Sequence, residues 1–199
     1  RLVGSEMCIR DSLSSNTTIA VYGLGEVGCK EDCYIIETYL KNSKTAVVRA
    51  AMISLMHLDS EKYITLITEM LYSEHSSIAN TAFILLKKYK DYDYKKILKA
   101  YQEIDYENAK IKCALLLFQA SKWKTLLYIL TIIGSNYEKL EAICQAQLSR
   151  WLLLYNNSFQ SLSKKDSKEI KILINIKKPF LTSKIEKELI SVSYTHLTL

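Results

Sequence analysis

The sequence predicts an all-α fold, built as a solenoid of short helix pairs. Helix-breaking residues are scarce, because the 199 residues include one proline and five glycines. An all-β fold needs more turn residues than this composition supplies. Apolar residues recur at i, i+3 or i+4 and i+7, the spacing of one face of a helix. The pattern also recurs along the chain every 30 or 31 residues, which is typical of stacked repeat architectures.

The repeat is visible as columns of equivalent residues in successive segments. Its anchors, separated by 30, 31 and 31 residues, are Val48, Ile78, Ala109 and Leu140. A column four positions later holds Met52, Ala82, Cys113 and Cys144. A leucine column holds Leu24, Leu55, Leu85 and Leu116. The period therefore extends over about five units, and the mostly small residues of the second column indicate closely stacked helices.

Each unit has the same internal plan of two helices joined by a polar turn. The first, amphipathic helices are predicted at residues 32–41, 61–72, 94–101 and 122–133. The second, more apolar helices are predicted at residues 46–58, 77–89, 108–120 and 137–155. Ser, Asp and Asn residues before the second helices are expected to act as N-caps. One such pair cannot bury its own apolar face, so neighbouring pairs are expected to stack.

The first two units carry a family resemblance. The motif GLGEVG at residues 23–28 is followed by an amphipathic helix, a polar turn and VVRAA at residues 47–51. This arrangement resembles the short HEAT repeat of the phycobilisome-lyase type. The resemblance implies a right-handed α-solenoid (an alpha-alpha superhelix) of about five HEAT-like helix pairs, and it implies a structural role for Arg49. It weakens after about Ile78, where Ala79 replaces the arginine, and it identifies an architecture more than an activity.

The two ends of the chain resemble translations of one sequencing adapter read in opposite directions. Residues 7–11, written as ATG TGT ATA AGA GAC, have a reverse complement that encodes residues 192–196. Residues 1–12 and 191–199 are therefore expected to be adapter-derived and are left out of the fold prediction. The native ends then lie beyond this sequence. The expected organisation is a repeat array at residues 13–155, followed by a helical C-terminal cap or linker at residues 156–190, with helices at 165–178 and 182–190.

Charge is spread unevenly over a net +6. Residues 13–86 carry 5 basic and 8 acidic side chains, whereas residues 87–124 carry 10 and 5 and residues 161–190 carry 8 and 4. Cys29, Cys33, Cys113 and Cys144 have no paired framework and are expected to be buried free thiols. Free thiols favour a reducing, cytoplasmic compartment. The longest apolar stretch, residues 125–134, is shorter than the roughly 18 residues of a membrane helix.

No catalytic, cofactor-binding or metal site is expected. GLGEVG has the glycine spacing of a dinucleotide motif, but that motif needs a preceding strand, and the flanking periodicity is helical. Cys29 and Cys33 are four residues apart without further ligands nearby, so they do not make a zinc site. The carboxylates between residues 91 and 107 alternate with lysines and tyrosines, which is typical of a solvated connection.

These patterns predict a non-catalytic protein–protein interaction scaffold that uses the concave face of the solenoid. Second helices usually line that face, and their outward positions form the predicted binding strip: Arg49, Asn80, Lys87, Lys110, Lys112, Gln145 and Arg150. A protein partner of unknown identity is expected. The alternative is nucleic-acid binding by the basic half, residues 87–124 and 161–190, in which tyrosines and lysines are interleaved at residues 89–106. A lyase or chaperone for a chromophore protein is a third hypothesis, suggested by the repeat subtype alone.

Overall fold

The computed structural model describes residues 17–157, 160 and 162–196, and every regular element in these ranges is helical. The expected adapter-derived segment 1–12 and residues 197–199 lie outside the described residues. By its internal contacts the chain divides into two compact units, Arg1–Ile104 and Asp105–Leu199. The expected boundary after residue 155 lies within the second unit.

Unit 1 contains the first helix pairs. Its described part holds α1 Thr17–Val27, α2 Cys33–Thr38, α3 Thr45–Leu58, α4 Ser60–Glu69, α5 Ser76–Tyr89 and α6 Tyr94–Glu103. Short 3₁₀ turns at Lys30–Asp32, Tyr39–Lys41 and Met70–Tyr72 extend α2 at both ends and α4 at its end. The predicted second helices 46–58 and 77–89 agree with α3 and α5 to within one residue.

Helix α3 is the centre of unit 1. It packs against α1 and α5 on either side and against α2 and α4 across the unit, while α4 also contacts α6. The core formed by these contacts includes fully buried Leu24, Ile36, Met52, Leu55 and Ile67. The apolar face of each helix is therefore covered by its neighbours along the chain, which is the main source of stability for helices of this length.

Unit 2 continues with five α-helices in its described part. They are α7 Glu107–Leu117, α8 Lys122–Ile132, α9 Glu138–Leu154, α10 Lys164–Lys177 and α11 Ser183–His196, with 3₁₀ turns at Tyr155–Asn157 and Lys178–Phe180. Helix α7 ends three residues before the predicted end at residue 120, and α11 continues six residues past the predicted end at residue 190. Val192, beyond that predicted end, is buried.

Unit 2 has the same sequential packing. Helix α9 contacts α7, α8 and α11, and α8 also contacts α7 and α10. Cys113, Leu116, Cys144 and Leu148 are fully buried on the second helices. The small-residue column is thus buried throughout, since Met52, Ala82, Cys113 and Cys144 all have no exposed surface.

Several long-range hydrogen bonds within each unit join residues about one sequence period apart. In unit 1 the partners are 31 to 33 residues apart in the pairs Ser54–Val21, His57–Gly25, Arg49–Thr81 and Lys96–Thr65. In unit 2 they are 32 residues apart in the pairs Tyr137–Asp105 and Lys139–Glu107. The spacing lengthens to 38 residues at Lys122–Gln160 and 42 at Lys124–Asp166, because the irregular segment after α9 adds residues.

The predicted N-caps of the second helices are wrong. These helices begin after Lys44, His75, Tyr106 and Tyr137, none of which makes a side-chain capping bond. Two polar residues instead bond the backbone of the preceding turn, where Asn42 Oδ1 accepts from Lys44 N at 2.9 Å and Ser73 Oγ from His75 N at 3.3 Å. Side-chain caps occur at Asp93 and Ser163, before α6 and α10.

Candidate functional site

The seven residues of the predicted binding strip all lie on second helices. Unit 1 holds Arg49 on α3 and Asn80 and Lys87 on α5, all of them exposed. Unit 2 holds the other four: Lys110 and Lys112 on α7, and Gln145 and Arg150 on α9. Of these four only Arg150 is exposed, and the other three are half-buried.

Two strip residues make contacts within their own units. Arg49 Nε donates to Thr81 Oγ1 at 2.9 Å and links α3 to α5. Gln145 Nε2 donates to Phe180 O at 2.6 Å and to Glu141 Oε1 at 3.0 Å. Gln145 therefore joins α9 to the 3₁₀ turn after α10, and its Oε1 has no hydrogen-bond partner among the described residues.

Arg150 lines a cavity in unit 2. This cavity, here called the α8–α9 cavity, has a volume of about 330 Å³. Its aromatic and aliphatic lining comes from Phe118, Trp151, Leu154 and Tyr155. Its polar lining comes from Lys122, Thr125, Gln147 and Arg150. The volume lies near the lower end of the range of small-ligand pockets, about 300–1,000 Å³.

Three aromatic rings, here called the aromatic wall, pack against one another at the α8–α9 cavity, and two of them, Trp151 and Tyr155, line it. Trp151 lies between Trp123, at a centroid distance of 5.6 Å and 59° tilt, and Tyr155, at 5.7 Å and 17°. Trp151 Nε1 donates to Lys122 O at 2.8 Å, and Trp123 Nε1 donates to Gln160 O at the same distance. Both indole N–H groups are thus satisfied, as buried tryptophans require, and the wall is held in place from both sides.

Two basic side chains give the α8–α9 cavity its charge. Lys122 Nζ lies 5.0 Å from the ring centroid of Trp123 and 5.8 Å from that of Tyr155. Burial lowers the pKa of Lys122, because desolvation disfavours the ammonium form. Arg150 lies exposed on α9. No acidic side chain occurs among the described lining residues, so the cavity combines cationic donors with aromatic and aliphatic surface.

Lys122 was not part of the predicted strip, because it lies on a first helix. Helices α8 and α9 pack together and are joined by the short connection 133–137, which makes them an antiparallel helical hairpin. Two residues that are equally far along the sequence from the middle of the connection, one on each helix, then lie at the same end of the hairpin. Lys122 is 13 residues before position 135 and Arg150 is 15 after it, a signal that the sequence does contain.

The GLGEVG motif has a packing role. Gly23 and Gly25 lie inside α1, not in a strand–turn–helix. A Cβ added at Gly25 would lie 2.3 Å from Ser54 Oγ and 2.5 Å from Ser54 Cβ. Ser54 Oγ itself donates to Val21 O at 2.9 Å. Gly25 therefore allows the close approach of α1 and α3.

Three of the four predicted buried thiols are buried, and the prediction is wrong for Cys29, which is exposed. Burial raises the pKa of Cys113 and of Cys144 to about 12. The pKa of Cys29 is raised mainly by hydrogen bonds to Glu31 and Asp32. Within the described ranges no three His, Cys, Asp or Glu side chains are grouped as metal ligands would be.

No helix in the described part of the chain has the length and apolar character needed to cross a membrane. Comparison of the chain with protein-family models, with curated proteins and with solved structures found no significant match.

Proposed function

We propose that this chain is a non-catalytic protein-binding module of HEAT-like helix pairs, which binds its partner through the exposed face of the second helices. The buried small-residue column and the hydrogen bonds at 31 to 33 residues support a repeat array. In such arrays each repeat contacts its neighbours and presents an extended binding surface. The buried free thiols are consistent with a cytoplasmic, reducing location.

The observation that carries the proposal is the α8–α9 cavity. Arg150, a residue of the predicted strip, borders a cavity lined by Trp151 and Tyr155 and charged by Lys122. Tryptophan, tyrosine and arginine are the residues that most often dominate the energy of protein–protein interfaces. Leu153, which precedes the lining residue Leu154 on α9, is 82% exposed.

Peptide display tests this function even while the partner is unidentified. A random 12-residue peptide library is selected on the full chain, and the affinity of enriched peptides is measured by fluorescence anisotropy. We expect micromolar binding that weakens at least tenfold for Ala variants at one or more of Asn80, Lys87, Lys110, Lys112 and Arg150. The melting temperature of each variant is expected to stay within about 2 °C of the parent, since surface substitutions change stability little.

Two results would contradict the protein-binding function. One is the failure of any peptide to be enriched over a denatured-chain control. The other is that every variant that loses binding also unfolds, which would make the strip structural.

Nucleic-acid binding is the alternative, favoured by one group of residues in unit 1. Lys87, Lys88, Lys95, Lys96 and Lys99 are all exposed on α5 and α6. A site of this kind neutralises phosphates, so affinity falls steeply with salt. Titration with a labelled 20-mer duplex and with a 20-mer single strand at 50 mM and 200 mM NaCl tests it. The alternative requires binding that weakens by orders of magnitude over this range, and no binding at 50 mM removes it.

A further inference from the structure

We propose that the α8–α9 cavity is the anchor site for an acidic residue and an adjacent large aliphatic residue of a partner peptide. The inference rests on the proposed protein-binding function and names the chemistry of the partner. It follows from the charge of the lining, from the way the aromatic rings are used and from the position of the exposed leucines.

The charge of the cavity selects an anion. Lys122 and Arg150 contribute positive charge from two helices, and the described lining residues include no carboxylate. Lys124, the next basic residue on α8, is held by Asp166 at 2.7 Å on α10. A peptide carboxylate between Lys122 and Arg150 gains charge-assisted hydrogen bonds, which are shorter and stronger than neutral ones. Partial burial of Lys122 strengthens this attraction, because the surroundings screen charge less than water does.

The aromatic wall favours a peptide over a nucleobase. Base recognition of single strands relies on open aromatic faces for stacking. Trp151 is only 7% exposed, since Trp123 and Tyr155 pack on it. Tyr155 has Trp151 stacked on its ring and the Lys122 ammonium over it. These rings therefore form a packed wall with little open face for a base.

The rest of the lining suits an aliphatic side chain. Leu154 borders the cavity and is 47% exposed, and Phe118 adds half-buried aromatic surface. Contact of a leucine-sized group with these side chains removes apolar surface from water, which is favourable roughly in proportion to the area. At about 330 Å³ the cavity is suited to a short segment of peptide. A leucine next to a glutamate combines the two groups that the lining favours.

The two tryptophans make this binding directly observable. The chain contains two: Trp151 lines the cavity, and Trp123 packs on the Trp151 ring. In the ¹⁵N-labelled full chain, the two indole N–H signals therefore report on this cavity. The probes are the capped peptides acetyl-Leu-Glu-Leu-Glu-amide and acetyl-Leu-Gln-Leu-Gln-amide, which differ only in charge. We expect the glutamate peptide to shift both indole signals, with a Kd at least tenfold lower than that of the glutamine peptide at 100 mM NaCl.

Matched variants distinguish binding at the cavity from a general attraction between the peptide and the positively charged chain. Arg150→Gln and Lys122→Gln each remove one lining charge, whereas Lys139→Gln removes an exposed charge 11 residues before Arg150 on the same helix, about 16 Å away along its axis. We expect each lining variant to lose at least fivefold in affinity for the glutamate peptide and to lose the preference over glutamine. Lys139→Gln is expected to bind like the parent. Because Arg150 is exposed, Arg150→Gln is expected to fold. It therefore tests the site even if Lys122→Gln fails to fold.

Three results would overturn the inference. They are equal Kd values for the two peptides, an equal loss of affinity in Lys139→Gln, and shifts of the indole signals by a ten-residue oligothymidylate at the same salt without shifts by the glutamate peptide. Failure of the broader function looks different. Displayed peptides that bind could contain no acidic residue and bind Arg150→Gln as tightly as the parent. In that case the protein-binding function stands and the cavity assignment is wrong. If no displayed peptide binds and the probes shift nothing, both are wrong.

Discussion

Arg49 and Thr81 are joined by a hydrogen bond of 2.9 Å that links α3 to α5 across 32 residues of sequence. Thr81 is buried, and its hydroxyl donates to Ser77 O at 2.9 Å, which leaves an oxygen lone pair for the guanidinium. The bond connects two successive second helices of unit 1. Arg49 is thus a member of the predicted binding strip that also has a demonstrable structural contact.

Replacement of Arg49 by alanine is expected to lower the free energy of unfolding by about 1.5–3 kcal/mol, the usual contribution of a hydrogen bond to a charged group. Thr81→Val removes the same bond from the other side. The double variant should therefore lose less free energy of unfolding than the sum of the losses in the two single variants. Urea denaturation of the four proteins measures this coupling. Strictly additive losses, or an Arg49→Ala variant that is as stable as the parent, would show that the bond does not stabilise the fold.

Gly25 is expected to tolerate no larger residue. The Cβ of Gly25→Ala would lie within 2.5 Å of two Ser54 side-chain atoms, and overpacking of this kind costs roughly 1–3 kcal/mol. The double variant Gly25→Ala/Ser54→Gly deletes those two atoms and should recover part of the loss. Thermal unfolding followed by circular dichroism makes the comparison. A Gly25→Ala protein with an unchanged or higher melting temperature would contradict the close packing of α1 on α3.

The ion pair of Lys124 and Asp166 predicts a pH-dependent contribution to stability. The hydrogen bond from Lys124 lowers the pKa of Asp166. A carboxyl group whose pKa is lower in the folded state stabilises the fold above its unfolded pKa, about 3.9, and loses that contribution as the pH falls through its folded pKa. Asp166→Asn is therefore expected to cost roughly 0.5–1 kcal/mol at pH 7.

The difference in the free energy of unfolding between Asp166→Asn and the parent should shrink as the pH falls from 5 towards 2. Glu188→Gln, an exposed carboxyl change on α11, serves as the control, and its free energy of unfolding is expected to differ little from that of the parent at any of the three pH values. Urea unfolding at pH 7, 5 and 3 gives the three free energies for each protein. A cost of Asp166→Asn that stays constant with pH would exclude the ion pair as its cause.

Thiol reactivity is expected to separate Cys29 from the other described cysteines. Cys113 and Cys144 are fully buried with a pKa raised to about 12, so they react only when the structure opens. At a stability of about 5 kcal/mol, opening slows their reaction by about a thousandfold or more. Cys29 is exposed and reacts in the folded protein, although its raised pKa makes it slower than a free thiol.

The measurement is a time course with a maleimide at pH 7.5, followed by peptide mapping. A Cys8→Ser background removes the cysteine that lies outside the described residues. Cys29 is expected to be modified first, and Cys33, Cys113 and Cys144 only when urea unfolds the chain. Modification of Cys113 or Cys144 at the rate of Cys29 would contradict the burial of the small-residue column.

The positions of the helices were largely predictable from local spacing. The second helices α3 and α5 agree with their predicted ranges to within one residue, and α8 begins at Lys122 as predicted. Helix ends were less predictable, as at α7 and α11. The caps were mispredicted because Asn42 and Ser73 bond the backbone of the turn itself, an alternative that side chains of this type always have.

The predicted strip depends on which face of each helix is exposed, and it could not include contacts made by other parts of the chain. Gln145 occupies a strip position, yet its amide binds the carbonyl of Phe180, 35 residues later. Lys122 was missed because it lies on a first helix, although it shares a cavity with Arg150. Both outcomes depend on packing between helices that the periodicity of any one helix does not describe.

Residue spacing was enough to establish that the described chain is helical and that its equivalent residues recur every 30 or 31 positions, because helix formation and apolar spacing depend on neighbours within a few residues. Helix packing was needed to show that Trp123, Trp151 and Tyr155 pack against one another and that Lys122 and Arg150 meet at the same cavity. Lys122 and Arg150 are 28 residues apart. Their meeting depends on the turn geometry at 133–137 and on how α8 and α9 pack, which are properties of the assembled hairpin and not of either helix.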